Sequence, residues 1–369
     1  MNFTLGEEQQ MLRQVVRELL AKECPPSHVR SMAASESGFS LDLWRRITEL
    51  GWTALVVPER FGGQGGTLVD LAVLFEEVGR VLLPSPLFAT VALAAVPLAR
   101  AEGAEALRER VLPAVARGEL RLTAGLFELE GGYDIEAVST VARTVEGGYA
   151  LSGIKAFVFD AAAADAILVL ARKDDGERSF FFVERGAPGV KIEPVATLDW
   201  GRQHIVRLED VRVGAEDEIR GLAPEIVFDC ATAVLCAEMV GAAERTMEMA
   251  VEWGKTRIQF GRPIGSFQAV SHKCADMLVG VESGRSLAYY ACLALDEGRS
   301  DARAAVSAAK AYLSDVFPWI AEACLQIHGG MGYTWEHDAH LYLRRARAAE
   351  VRFGDAEFHR ERLLAAIGW

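Results

Sequence analysis

The stretch "DCATAVLCAEMVGAAERTMEMAVEWGKTR" (229–257) decides the architecture. No proline interrupts it, and its apolar residues do not alternate as a half-buried strand requires, so it reads as part of one long helix. Helical segments with few breakers run from about Ala223 to the C-terminus, with a break at "HGGMGY" (328–333). Upstream the period shortens. "TVARTVEGGYALSG" (140–153), "DAILVLARK" (165–173) and "SFFFVERGAPGVKIEPV" (179–195) are short β-rich runs split by Gly, Asp and Pro, the pattern of a compact β-domain. Before about Leu120 the helical period returns. In "LGEEQQMLRQVVRELLAKEC" (5–24), Leu12, Val15, Val16, Leu19 and Leu20 make a one-sided stripe that ends at Pro25 and Pro26. Further helices are expected over 41–50, 68–81 and 87–100, and "VVPERFGGQGG" (56–66) breaks between them. The expected organisation is α+β in three parts: a helical domain 1–119, a β domain 120–222 and a helical domain 223–369.

Composition narrows the function. A chain of 369 residues with 51% hydrophobic content can fill sizeable cores. Its formal charge of −13 repels nucleic acid and anionic membranes, so an anionic ligand has to be met by local positive charge. Neither nucleic acid nor membrane is expected as a partner. Cys24, Cys230, Cys236, Cys274, Cys292 and Cys324 include no CxxC pair and sit mostly in apolar stretches, so reduced buried thiols are expected. The N-terminal "MNFTLGEEQQMLRQ" carries acids where a signal peptide carries positive charge, and no apolar run reaches spanning length without a charge. The cytoplasm is the default location.

Two stretches carry chemistry. In "RIQFGRPIGSFQAVSHKCADM" (257–277), Arg257 offers a guanidinium that can grip a pyrophosphate, and Gly261 and Pro263 end the helix before it. In "QIHGGMGYTWEHDAHLYLRRAR" (326–347), paired glycines allow backbone to approach a bound group. His337 and His340 have i, i+3 spacing but no third candidate ligand, so a metal site is rejected.

These two stretches, with "VVPERFGGQGGTLVDLAVLFEEVGR" (56–80), closely resemble the motifs of acyl-CoA dehydrogenases, and the resemblance covers essentially the whole chain. It implies a helical N-terminal domain, a β-barrel-like middle domain and a C-terminal four-helix bundle. It also implies an oxidoreductase acting on CH–CH of an acyl-CoA thioester, with FAD as cofactor and electron-transferring flavoprotein as acceptor. By the resemblance, Arg257, Gln259, Phe260, Ile264, Gln268, Gln326 and Gly330 contact the ADP half of FAD bound mainly to a neighbouring subunit, which requires an oligomer.

The family's reaction needs a carboxylate to take the α-proton. Most members carry it as a glutamate followed by Gly-Thr, just after the arginine-rich helix. Gap-free counting into "RRARAAEVRFGDAEFH" (344–359) places that position at Phe353, followed by Gly354 and Asp355. The backbone N–H of Phe353 can still donate to a thioester carbonyl, but phenylalanine abstracts no proton. The family's second base position falls on Ala231. Asp229 and Glu238 are the nearby acids; each also reads as an ordinary solvated or interface carboxylate.

The β domain departs as well. Where relatives have Thr-Glu-Pro and then Gly-Ser-Asp around the flavin, "LFELEGGYD" (126–134) has Phe127, Leu129 and Tyr133. In "GIKAFVFDA" (153–161), Phe157 stands where an aromatic covers the flavin, and Phe159 where a small hydroxylated residue is common. Phe157 reads equally as a β-core packing residue. These losses, with "VLLPSPLFA" (81–89) and "TWEHDAHLYLRRA" (334–346), resemble the branch of heteromeric dehydrogenases that shorten steroid side chains, in which one chain contributes the base. Three readings follow: a base-less subunit of a hetero-tetramer with a second acyl-CoA dehydrogenase subunit; a self-sufficient homo-dimer or homo-tetramer using a displaced acid such as Glu238; or a non-dehydrogenase flavoprotein or structural partner on the same fold.

Overall fold

The computed structural model describes residues 5–369. Helices α1 (Glu7–Glu23), α2 (Pro26–Ala34), α3 (Leu41–Glu49), α4 (Leu68–Val81), α5 (Val96–Arg100) and α6 (Glu105–Ala116) come first. Strands β1 (Leu122–Gly125), β2 (Val141–Val145), β3 (Gly148–Phe159), β4 (Ala166–Lys173), β5 (Arg178–Glu184), β6 (Val190–Val195), β7 (Gln203–Gly214) and β8 (Glu218–Ile219) follow. Then come α7 (Pro224–Thr256), a hairpin of β9 (Ile258–Gln259) and β10 (Arg262–Pro263), α8 (Gln268–Asp296), α9 (Ala302–His328), α10 (Ala339–Val351) and α11 (Ala356–Ala366).

Two expectations are refined. Val15 of the α1 stripe is exposed, and the buried face narrows to Val16 and Leu20. The segment expected as a plain helix over 87–100 is π-wound over Phe88–Ala95 before continuing as α5. Pro97 lacks the N–H that an α-register would direct at the carbonyl of Leu93.

Contacts gather the chain into two units interleaved in sequence. One takes the chain up to Ser31, Leu68–Leu83 and Thr232–Trp369; the other takes Met32–Thr67 and Pro84–Ala231. In the first unit, α4 and α7 touch backbone to backbone. A Cβ on Gly79 would lie 2.0 Å from the carbonyl of Glu238, and one on Gly241 would lie 1.7 Å from that of Glu76. Glycine inside a helix costs about 1 kcal/mol against alanine, and close approach explains both. Ion pairs then lace the helices: Arg80 to Glu244 and Glu248, Arg17 to Glu77, and Arg285 to Glu76 and Glu244. α7 is apolar and long enough to cross a membrane, but 94% of its most apolar window is buried in protein, so it is a core helix.

In the second unit the eight strands form one mixed sheet in the order β6-β7-β3-β2-β4-β5-β8, with β1 beside β4. Leu151, Val158, Ile167, Val169, Phe181, Val183, Val206 and Val211 make its core. The β3–β7 ladder is broken twice, the second time between Lys155 and Val158.

Candidate active site

In the helical unit, the end of α7 hands the chain to the β9–β10 hairpin, with Gln259 opposite Arg262. The loop residues Phe260 and Gly261 have φ of +52° and +77°, the backbone that a two-residue type I′ turn demands. Gly261 adopts it freely. Phe260 does so at a cost of about 1–2 kcal/mol, and its ring is left 92% exposed. Lys255, Arg257 and Arg262 cluster here, and among the described residues no carboxylate pairs with any of them. On a chain of net charge −13, this is the local positive site an anion requires.

The guanidinium of Arg257 lies 5.7 Å over Trp253, and Trp253 stacks on His328 at 5.3 Å and 21°. The two motifs, about seventy residues apart in sequence, thus meet through one indole. His328 Nδ1 donates to the Cys324 carbonyl at 2.8 Å, and burial lowers its pKa. Gln326 is exposed on the last turn of α9, and Gln268 on the first turn of α8; Ile264 is half-buried. A Cβ on Gly330 would meet nothing within 4 Å, as would one on Gly329. The chain's own packing therefore does not require a glycine at 330. His337 and His340 have other work: His337 Nδ1 accepts from the Ala339 N–H at 3.1 Å, and His340 bonds the Trp335 carbonyl at 3.1 Å.

In the sheet unit, Lys155 is fully buried and its Nζ donates to Glu128 Oε1 at 2.6 Å. Glu128 also accepts from the backbone N–H of Ser139 and Thr140, at 2.8 and 3.0 Å, and from both hydroxyls. Burial pushes the Glu128 pKa up, but these donors outweigh it and bring it down to about 2. Burial lowers Lys155 to about 8. Beside this clamp the Ala156 N–H donates to the Phe127 carbonyl, and Phe157 follows at the ladder break with φ of +55°. Its ring is 44% exposed. The residue is therefore not part of the core of the sheet unit. Phe159 packs on Phe88 at 5.6 Å, and Phe127 edges Phe228 at 6.2 Å.

The link between α10 and α11 holds Phe353 and Gly354 with φ of +55° and +103°. The Phe353 ring is buried. Its carbonyl accepts from His359 Nε2 at 2.8 Å, and the Gly354 carbonyl accepts from Lys310 Nζ at 2.7 Å. Asp355 caps α11, its Oδ1 accepting from the Phe358 N–H at 2.9 Å.

Three domain models cover this chain: acyl-CoA dehydrogenase N-terminal domain over 6–119, middle domain over 123–210 and C-terminal domain over 227–368. The acyl-CoA dehydrogenase IpdE2 of Mycobacterium tuberculosis is 36% identical over 349 residues, covering 94% of this chain and 93% of the relative. The chain belongs to the acyl-CoA dehydrogenase family. Among solved structures, the ChsE4–ChsE5 complex of Mycobacterium tuberculosis superposes with a TM-score of 0.92 at 29% identity, covering 100% of this chain and 99% of that one. A Tcur3481–Tcur3483 steroid ACAD superposes with 0.89 at 32% identity, covering 99% and 98%.

Members of this family are flavoprotein oxidoreductases acting on CH–CH bonds, and FAD is the cofactor that goes with the fold. The unpaired cations of the hairpin and the open space at Gly330 fit the pyrophosphate and the close backbone approach of that cofactor. The acids weighed as displaced bases do not stand free. Glu238 is buried on α7 and its Oε1 accepts from Arg345 Nη1 of α10; Asp229 is buried, and Ala231 offers no acid. Sequence reasoning missed Lys310 and His359. The one available signal was a lone lysine in the small, apolar run "AAVSAAKAYL" (304–313).

Proposed function

We propose that this chain is a FAD-binding subunit of a heteromeric acyl-CoA dehydrogenase that lacks its own base and takes one from a second acyl-CoA dehydrogenase subunit. The observation that carries the reading is the 353–354 turn: where gap-free counting puts the family's base, the chain has Phe353, buried and at positive φ, and no carboxylate. FAD, when bound, supplies the acceptor for the hydride that leaves Cβ of the thioester. Arg257, with Lys255 and Arg262 beside it, neutralises the pyrophosphate. Gln259, Phe260, Ile264, Gln268, Gln326 and Gly330 contact the ADP half of a cofactor held mainly by a neighbouring subunit, so the assembly is an oligomer. Phe157 covers the flavin ring. The Phe353 N–H donates to the thioester carbonyl and holds the acyl group for proton removal by the partner's carboxylate.

The pairing of Glu238 with Arg345 supports this reading over a displaced base, because its Oε1 is engaged by a partly buried guanidinium. Likeness to a two-component complex and to a steroid ACAD supports CoA thioesters of steroid side chains as substrates. Electron-transferring flavoprotein is the proposed acceptor. The test is light scattering with flavin absorbance on the chain made alone and made with candidate second subunits. A mixed oligomer carrying flavin, and active, is expected. A homo-oligomer that turns over acyl-CoA at a full rate contradicts it.

A further inference from the structure

We propose that Lys310 and His359 are positioning residues that lock the Phe353–Gly354 turn in its left-handed form and so set the end of the site that receives the acyl thioester. The second half of this statement rests on the function proposed above; the first half stands on geometry alone.

α10 ends at Val351 and α11 starts at Ala356, so four residues, 352–355, reverse the chain. Two successive positive φ values make the reversal. Gly354 is suited to it, and a Cβ there would strike the Phe358 ring at 2.4 Å. Phe353 is not suited, since a bulky residue adopts that backbone only when its surroundings over-determine it. Two buried side chains do so from different helices, α9 and α11. His359, fully buried on the first turn of α11, donates from Nε2 to the Phe353 carbonyl. Lys310, fully buried on α9, donates from Nζ to the Gly354 carbonyl at 2.7 Å, the Glu350 carbonyl at 3.0 Å and Ser314 Oγ at 2.7 Å. The two backbone acceptors flank Phe353.

Lys310 is a costly choice for packing. All three of its hydrogen-bond acceptors are neutral, and among the described residues no carboxylate forms an ion pair with it. A leucine or methionine would fill the same place on α9 without the desolvation of an ammonium. An ammonium offers three donors in one small head, and all three are spent here. Because a trans peptide holds C=O and the following N–H antiparallel in one plane, fixing the carbonyls of Phe353 and Gly354 fixes the N–H groups of Gly354 and Asp355 directly, and the Phe353 N–H, on the peptide before, is held only through the positive φ of Phe353 itself.

The experiment is hydrogen exchange over 350–358 in the full-length chain. Lys310→Met, His359→Phe and His359→Gln are each made in the natural background and with Phe353→Gly. Lys310→Met and His359→Phe should speed local exchange by about tenfold or more, beyond any change in global unfolding. His359→Gln keeps a donor and should recover much of the protection. With Phe353→Gly the left-handed backbone is free, so the same changes should alter exchange by less than about threefold. Equal effects in both backgrounds, or none at 350–358, overturn the proposal; a residue that only fills space would behave that way. Should Lys310→Met fail to accumulate, the two His359 variants decide the question. Octanoyl-CoA and CoA alone are then titrated into the FAD-loaded assembly. Octanoyl-CoA binding weakened about tenfold, with CoA binding unchanged, supports the thioester role. A loosened turn with unchanged octanoyl-CoA affinity leaves the lock standing and removes the thioester role from it.

Discussion

Phe157 and Phe353 sit in different units of the molecule with the same backbone, φ of +55° in each, and opposite fates for the ring: 44% exposed in one and 2% in the other. Each has a fully buried lysine at hand, Lys155 and Lys310, and burial lowers both to about 8. Lys155 is neutralised by Glu128 and ties loops of the sheet unit together, so the ladder break that carries Phe157 rests on a rigid frame. Lys310 meets only neutral oxygen atoms and acts on the turn itself. On the proposed function, the outward ring of Phe157 is free to meet the flavin, and the inward ring of Phe353 leaves only the backbone of its turn to meet the thioester.

The largest expected effect separates the two rings. Phe353→Ala removes a buried phenyl and should cost about 3–5 kcal/mol in urea unfolding, whereas Phe157→Ala should cost less than about 1 kcal/mol. Similar losses at both positions would break the comparison. Phe157→Ala should show its effect instead in the flavin absorbance of the assembled protein, as a shift in the visible band.

Arg257→Ala comes next. Removal of a charge-assisted pyrophosphate contact of about 1.5–3 kcal/mol should weaken FAD retention roughly ten- to hundredfold in whichever assembly holds flavin. Flavin content that survives dialysis unchanged would reduce the hairpin to a structural turn.

A smaller effect concerns pH. Burial, then the charge of Lys310, lowers His359 to about 3. The folded state therefore keeps it neutral down to that pH, while the unfolded chain takes up a proton below about 6.5. The unfolded state binds the extra proton, so stability falls as pH drops through that window, by about 2 kcal/mol between pH 6.5 and 5 from this one group. His359→Phe should flatten that part of the stability curve. A parallel curve for the variant would place the buried group elsewhere.

Periodicity made the order of helices and strands legible, because burial of one face repeats at 3.6 or 2 residues whatever the partner. The break after α7 was legible too, since Gly261 and Pro263 are local signals. The pairing of Glu238 with Arg345 was not. It joins residues 107 positions apart, and the helical face of Glu238 can be counted while its partner cannot. The strained phenylalanines were equally hidden, because propensity places aromatics in strands and cores and not at positive φ. Nothing in the sequence marks Gly79 and Gly241, because the reason for both is the crossing of α4 and α7.

Rapid mixing of the FAD-loaded chain with saturated acyl-CoA, alone and with its second subunit, tests most directly whether the base has left this chain. No flavin bleaching alone, bleaching with the partner, and an unchanged rate with Glu238→Gln are predicted, since a missing general base costs about 10²–10⁴-fold. Rapid bleaching by the chain alone, abolished by Glu238→Gln with FAD still bound, would contradict the account.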